Sequence, residues 1–194
     1  MTDNEQEGAA GMEQAQKMKP SKPTWIPQKE RIWVLIAVIS SFVIIGTGLS
    51  TLLQVPAENL HKRSFEFIFK NYGSLARIGL FFVLAHYVLL FILQKGWLNP
   101  FHFLKKWAVL LSRFARKWHT PIAMIAIGLI FLHVVGAFMY GFEFDFSNIS
   151  GLLALIALLP VPIAGLFRYR RLDRKWHLRS GLAFAFLFLV HSLV

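Results

Sequence analysis

Residues 116–136, RKWHTPIAMIAIGLIFLHVVG, and residues 174–194, RKWHLRSGLAFAFLFLVHSLV, open with the same four letters, and each carries a second histidine fourteen positions after the first. The pairs are His119 with His133 and His177 with His191. On an α-helix fourteen residues turn the chain by roughly 1400°, about 40° short of four full turns, and advance it by about 21 Å. Both histidines of a pair therefore share a face and sit at two depths. Two such helices running in the same direction set His119 opposite His177 and His133 opposite His191.

The chain has 194 residues, 56% of them hydrophobic and 15% aromatic, which is more apolar than an ordinary soluble domain and points to a multispan membrane protein with lipid as its surroundings. Its formal charge of +11 does not call for a nucleic-acid partner. The cations fall mainly in short segments between apolar runs, where orientation in a membrane accounts for them. There is no cysteine, so disulfides, thiolate-held clusters and thioether-attached cofactors are excluded within these residues. Histidine is the one good soft ligand left.

Residues 1–30 are polar, show no apolar period and read as a disordered cytoplasmic tail. From Ile32 to Leu53 run twenty-two residues without a charge, enough to cross a hydrocarbon layer of about 30 Å. A polar segment before this run and no small-residue cleavage site after it favour a retained anchor over a signal peptide. Residues 55–73 read as an amphipathic surface segment. The second span covers about Leu75 to Leu93, with Arg77 near its start and His86 near its middle. A basic linker leads to a third span at about 119–140, and the short acidic linker GFEFDFSN to a fourth at about 150–167. Pro160 and Pro162 must interrupt and kink that fourth span. The linker RYRRLDRKW then enters a fifth, from His177 onward. The expected fold is all-α: a polytopic bundle of five transmembrane helices forming one membrane domain over residues 31–194.

Ionisable groups inside a span are costly and mark function. His86 alone reads as a structural histidine hydrogen-bonded to a neighbouring helix, with no partner at matching depth. Four histidines at equal spacing on two parallel spans are different. Zinc or copper would want three or four ligands converging on one point, whereas these residues pair two by two. A planar macrocycle that brings four equatorial nitrogens needs only two axial imidazoles, so two bis-histidine haem b groups fit the count. Such ligation leaves no open iron position and suits electron transfer. Gly181, one turn from His177, lets a macrocycle approach the backbone, while Phe184 and Phe188 fill the level between the sites. Ala123, Ala126 and Ile130 offer small to medium side chains opposite. Arg116 and Arg174, with Arg113, Lys117, Lys175 and Arg179, stand ready to neutralise propionates of one haem, and Lys70 and Arg77 those of the other. The competing reading is a transporter or channel that uses the intramembrane histidines for protons or metal ions.

Two histidines in each of two spans, with one span between them, resemble the ferric reductase-like transmembrane domain. NADPH oxidases, ferric-chelate reductases and the haem-binding membrane subunit of the bacterial methionine sulfoxide reductase system share this domain. The resemblance covers about residues 75–194, and the 58 positions from His119 to His177 are fewer than in the cytochrome b of quinol-oxidising complexes. It implies inner-haem iron ligands His119 and His177, outer-haem iron ligands His133 and His191, and an oxidoreductase electron-transfer subunit in a bacterial cell membrane. The terminal acceptor stays open among ferric iron, oxygen, a quinone and an extracytoplasmic partner reductase. No glycine-rich dinucleotide motif occurs in these residues. The electron donor is therefore expected to be a separate flavin-carrying protein or a quinol.

Orientation follows from Lys and Arg near the span ends: seventeen lie before span one or in the linkers following spans two and four, against four on the other side, Lys62, Arg63, Lys70 and Arg77. The expected topology is N-terminus in and C-terminus out, which makes spans three and five parallel. Reporter fusions at the two ends check this: a cytoplasmic reporter should be active at the N-terminus and a periplasmic one at the C-terminus.

Overall fold

The computed structural model describes residues 28–167 and 174–193. Their order is helix α1 (Gln28–Leu53), a 3-10 turn (Ala57–Asn59), and helices α2 (Arg63–Gln94), α3 (His102–Tyr140), α4 (Phe146–Leu158), α5 (Pro160–Phe167) and α6 (Arg174–Leu193). Among the described residues all regular structure is helical.

Four stretches are helical, long and apolar enough to cross a membrane: Arg31–Leu53, Arg63–Gln94, His102–Tyr140 and Phe146–Gly165. The expected fifth span corresponds to α6. α6 has the length, 20 residues, but two histidines, Arg179 and two serines dilute its apolar run. The predicted break in the fourth span falls at Leu159, between α4 and α5. There Pro160 and Pro162 each lack the N–H that would continue the helical ladder.

α1 turns Ile32, Leu35, Ile39, Phe42 and Val43 outward and buries Ala37, Ser41 and Gly48. Large apolar side chains outside and small ones inside are the packing of helices in lipid, where close backbone approach replaces the hydrophobic effect. α1 runs parallel to α3. Ser41 Oγ donates to the Met124 carbonyl at 3.1 Å, and a Cβ on Gly128 would strike Ser41, as one on Gly48 would strike Leu132.

Two elements are longer than the apolar runs suggest. α2 starts at Arg63, so the expected surface segment supplies its first turns. An i,i+4 pair between Glu66 and Lys70 supports them, and Phe65 and Phe69 are buried with Leu52 and Leu132. α3 spans 39 residues, about 58 Å, because the expected basic linker is helical from His102 onward. Along the antiparallel α2–α3 pair Gly73 meets His133, Gly79 meets Ala126, and His86 lies beside His119. This register puts Phe82 level with Ala123. Its ring centre nevertheless lies 6.1 Å from that of Phe114, nine residues or about 13 Å of straight helix farther on. Between the two lies Pro121, which lacks the N–H to bond the Lys117 carbonyl and so permits a bend of the helix there.

α4 is capped by Asp145, whose Oδ1 accepts the Asn148 N–H at 2.7 Å. α4 and α5 pack on α6, and the two groups of helices, α1–α3 and α4–α6, meet at a core of Leu80, Ala126, Leu158, Phe184 and Phe188. The Phe184 and Phe188 rings stack there, 5.8 Å between centres.

Candidate functional site: two histidine levels

α3 and α6 run parallel, and their histidines lie at two depths, in direct ring contact at one and joined through Tyr87 at the other. At the first, the His133 and His191 ring centres are 6.4 Å apart. An imidazole nitrogen about 2 Å from a metal puts its ring centre about 3.2 Å away, so two imidazoles on opposite sides of one metal stand about 6.3 Å apart. The observed separation is that of such a pair.

The tautomers agree with it. His133 Nδ1 lies 3.0 Å from the Phe69 carbonyl, and His191 Nδ1 lies 3.1 Å from the Ser147 carbonyl, with Ser150 Oγ at 3.3 Å. A carbonyl only accepts, so each Nδ1 carries the proton and donates, which leaves the lone pair of the neutral ring on Nε2. This second bond is what orients a metal-ligating histidine.

Glycine makes these bonds possible. A Cβ on Gly73 would stand 2.8 Å from His133 Nδ1, and one on Gly151 would stand 2.9 Å from His191 Cε1. Each glycine lies four residues after the accepting carbonyl, Phe69 before Gly73 and Ser147 before Gly151. The ring thus lies against the bare backbone of the neighbouring helix and reaches a carbonyl one turn back. His177 repeats the arrangement: its Nδ1 donates to the Val161 carbonyl at 3.1 Å, four residues before Gly165.

Beside His133 and His191 is a cavity of about 640 Å³, within the roughly 300–1,000 Å³ of cofactor sites. Ala76, Leu80, Ile130, Ala154, Phe184 and Phe188 make its wall apolar, and Lys70, Arg77, Glu143 and Asp145 add charge. Arg77 Nη1 lies 3.5 Å from the Ser192 carbonyl, tying α2 to the end of α6. Among the described residues no three His, Cys, Asp or Glu side chains gather to hold a metal ion. A metal at the His133–His191 pair would need its other ligands from a group that carries them. The two neighbouring imidazoles, the largely apolar wall of the cavity and the basic Arg77 fit a haem.

The second depth is built differently. Tyr87 joins its two histidines: the ring is 5.6 Å from His119, and the hydroxyl donates to His177 Nε2 at 3.0 Å. His86 was expected to lack a partner at this depth, yet its ring lies 6.0 Å from that of His119. The reason is topological: α2 runs back along α3 and returns to the His119 level thirteen residues after Gly73, where the chain carries His86 and Tyr87. Arg116 is exposed near the same end of α3. The side chain of Arg174 lies outside the described residues, as do Arg168, Arg170 and Arg171. Phe184 is buried between the two levels, and a Cβ at Gly181 would meet nothing within 4 Å.

Sequence reasoning missed Gly73, Gly151, Gly165 and Tyr87. For the three glycines the signal was their place inside a helix, which costs about 1 kcal/mol relative to alanine and so needs a reason. Compared with protein-family models, curated proteins and solved structures, the chain matches none.

The three glycines should respond to alanine in graded fashion. Gly73→Ala and Gly151→Ala push against rings held by hydrogen bonds and should each lower stability by about 1–3 kcal/mol. At Gly165 the added carbon stands 3.5 Å from His177, an ordinary contact, so Gly165→Ala should stay within about 0.5 kcal/mol of the parent or exceed it. Thermal unfolding in detergent micelles reads the order, and equal losses at all three would contradict this packing.

Proposed function

We propose that the chain is a di-haem b-type transmembrane cytochrome. In this reading it passes electrons across a bacterial cell membrane from a separate cytoplasmic flavoprotein or quinol to an acceptor at the outer face. It is the ferric reductase-like reading of the sequence. The observation that carries it is the His133–His191 pair: ring centres 6.4 Å apart and both Nδ1 protons given to backbone carbonyls, beside a cavity lined by apolar and charged side chains. Bis-histidine haem would supply a one-electron carrier with no open iron position. The chain's own residues do the rest. Phe69 and Ser147 fix the tautomers, Gly73 and Gly151 admit the rings, Arg77 offers positive charge to carboxylates, and Phe184 with Phe188 keep water from the level between the sites. His119 and His177 would hold the inner group, and Arg116 and Arg174 are placed in sequence to meet its carboxylates.

In this reading α6 is the fifth span, its 20 residues reaching about 30 Å. The basic bias puts the N-terminus and the His119 level on the cytoplasmic side.

One observation favours a second reading, a proton-conducting transporter or channel. The Tyr87 hydroxyl occupies His177 Nε2, and His86 and His119 adjoin it, as in a relay. Absorption spectra separate the two: the purified, oxidised protein reduced with dithionite should show the sharp bands of six-coordinate haem b. A colourless protein expressed with ample haem would sink the first reading.

Pairing by depth gives the finer test. Replacing His133 with His191, or His119 with His177, should remove about half of the haem. Replacing His119 with His133, both on α3, should disturb both sites. The haem-to-protein ratio, normalised to folded yield, decides it.

Tyr87→Phe discriminates further. With haem at both levels its content should hold or rise, because His177 Nε2 is released. In a proton relay the same change should cut proton flux into vesicles about tenfold or more, since the hydroxyl donor is gone.

A further inference from the structure

The first half of α3, residues 102–118, extends past the part of the helix that pairs with α6, and its side chains sort into three strips. At 100° per residue, Phe103, Leu104, Trp107, Leu110, Leu111 and Phe114 share one side. All six are exposed, from 49% at Leu104 and Leu111 to 71% at Phe103. Lys105, Lys106, Arg113, Arg116 and Lys117 share a second, centred roughly 130° from the first, and all five are exposed. Ala108, Ser112 and Ala115 form the third and are buried against the molecule. Such a helix has one side that water will not solvate and one that lipid tails will not, so it is stable in neither medium alone.

α3 is also too long to be a span throughout. Its 39 residues reach about 58 Å, whereas head groups and hydrocarbon together measure about 40–45 Å. Pro121 lies where the basic part ends and the apolar part begins, and a proline inside a helix permits a bend, so the two parts need not share an axis. We propose that residues 102–118 lie in the plane of the membrane, with the aromatic strip in the acyl boundary and the basic strip bound to anionic phospholipid head groups. Trp and Phe on one face with Lys and Arg on the other are the composition that membrane interfaces select. Five cations on one strip match a negatively charged leaflet. Continuity with the spans brings this helix to the head-group level without a docking partner. The inference needs the membrane reading and is independent of haem.

Because the chain has no cysteine, single cysteines can be introduced and spin-labelled in the full protein. Trp107→Cys and Phe114→Cys report the apolar strip, Lys106→Cys and Arg113→Cys the basic one, and Phe42→Cys on α1 a lipid-facing span. In vesicles containing phosphatidylglycerol, labels at 107 and 114 should be open to oxygen and shielded from a water-soluble nickel chelate, with the reverse at 106 and 113. In vesicles of phosphatidylcholine alone, nickel accessibility at 107 and 114 should rise about twofold or more as the electrostatic attraction is lost. Nickel accessibility at 107 and 114 as high as at 106 and 113 would overturn the proposal in favour of a solvated helix. Shielding of 107 and 114 from both reagents would overturn it in favour of a protein partner. No change between the lipids would remove the anionic head groups from it. If position 42 reads as lipid while 107 and 114 do not, membrane insertion stands and this inference alone fails.

Discussion

A buried imidazole must dispose of one N–H and one lone pair, and the fold depends on how this chain disposes of the N–H. A helical carbonyl already accepts the N–H four residues on, but it keeps a second lone pair directed outward. A ring from a neighbouring helix reaches it most closely where the residue four places on has no side chain, a strict need at Gly73 and Gly151 and a looser one at Gly165. Phe69 with Gly73, Ser147 with Gly151 and Val161 with Gly165 provide that arrangement for His133, His191 and His177. Each glycine weakens its own helix by about 1 kcal/mol, and an unsatisfied buried N–H would cost about 1–3 kcal/mol, so the exchange favours the glycine where the ring is enclosed. Helix lengths follow from it. α2 must run outward past Phe69, and α4 must begin before Ser147, which its Asp145 cap ensures.

The parts legible in the sequence were those with a period. Histidines fourteen apart gave the two depths and the facing of α3 and α6, since the helical repeat alone decides which residues share a face. Pro160 and Pro162 marked the break at Leu159 because the chemistry of proline is local. The ends of α2 and α3 were not legible from hydropathy, which registers lipid and not helix: Arg63–Gly73 read as part of a surface segment and His102–Trp118 as part of a basic linker, and both are helical. Nor was the pairing of glycines with histidines. Gly73 and His133 lie 60 positions apart on antiparallel helices, and their meeting depends on a register that no local pattern encodes. His86 was misjudged for the same reason, its depth having been compared with α3 and α6 without the return path of α2.

The two depths are joined by a medium that bears on what can pass between them. A proton relay needs donors and acceptors within hydrogen-bond reach of one another, about 3 Å per step. From His119 to His133 the helix rises about 21 Å. Among the described residues, the apolar core over that interval is built from Leu80, Leu84, Ala126, Ile130, Leu158, Phe184 and Phe188, none of which donates or accepts through its side chain. Tyr87 and His177 share a hydrogen bond, with His86 and His119 as ring neighbours of Tyr87, and this apolar layer separates the group from His133 and His191. Electrons do not need such a chain of groups and cross packed apolar matter by tunnelling. An apolar core between the two histidine levels therefore favours the electron-transfer reading proposed above over a proton path that would run through both levels.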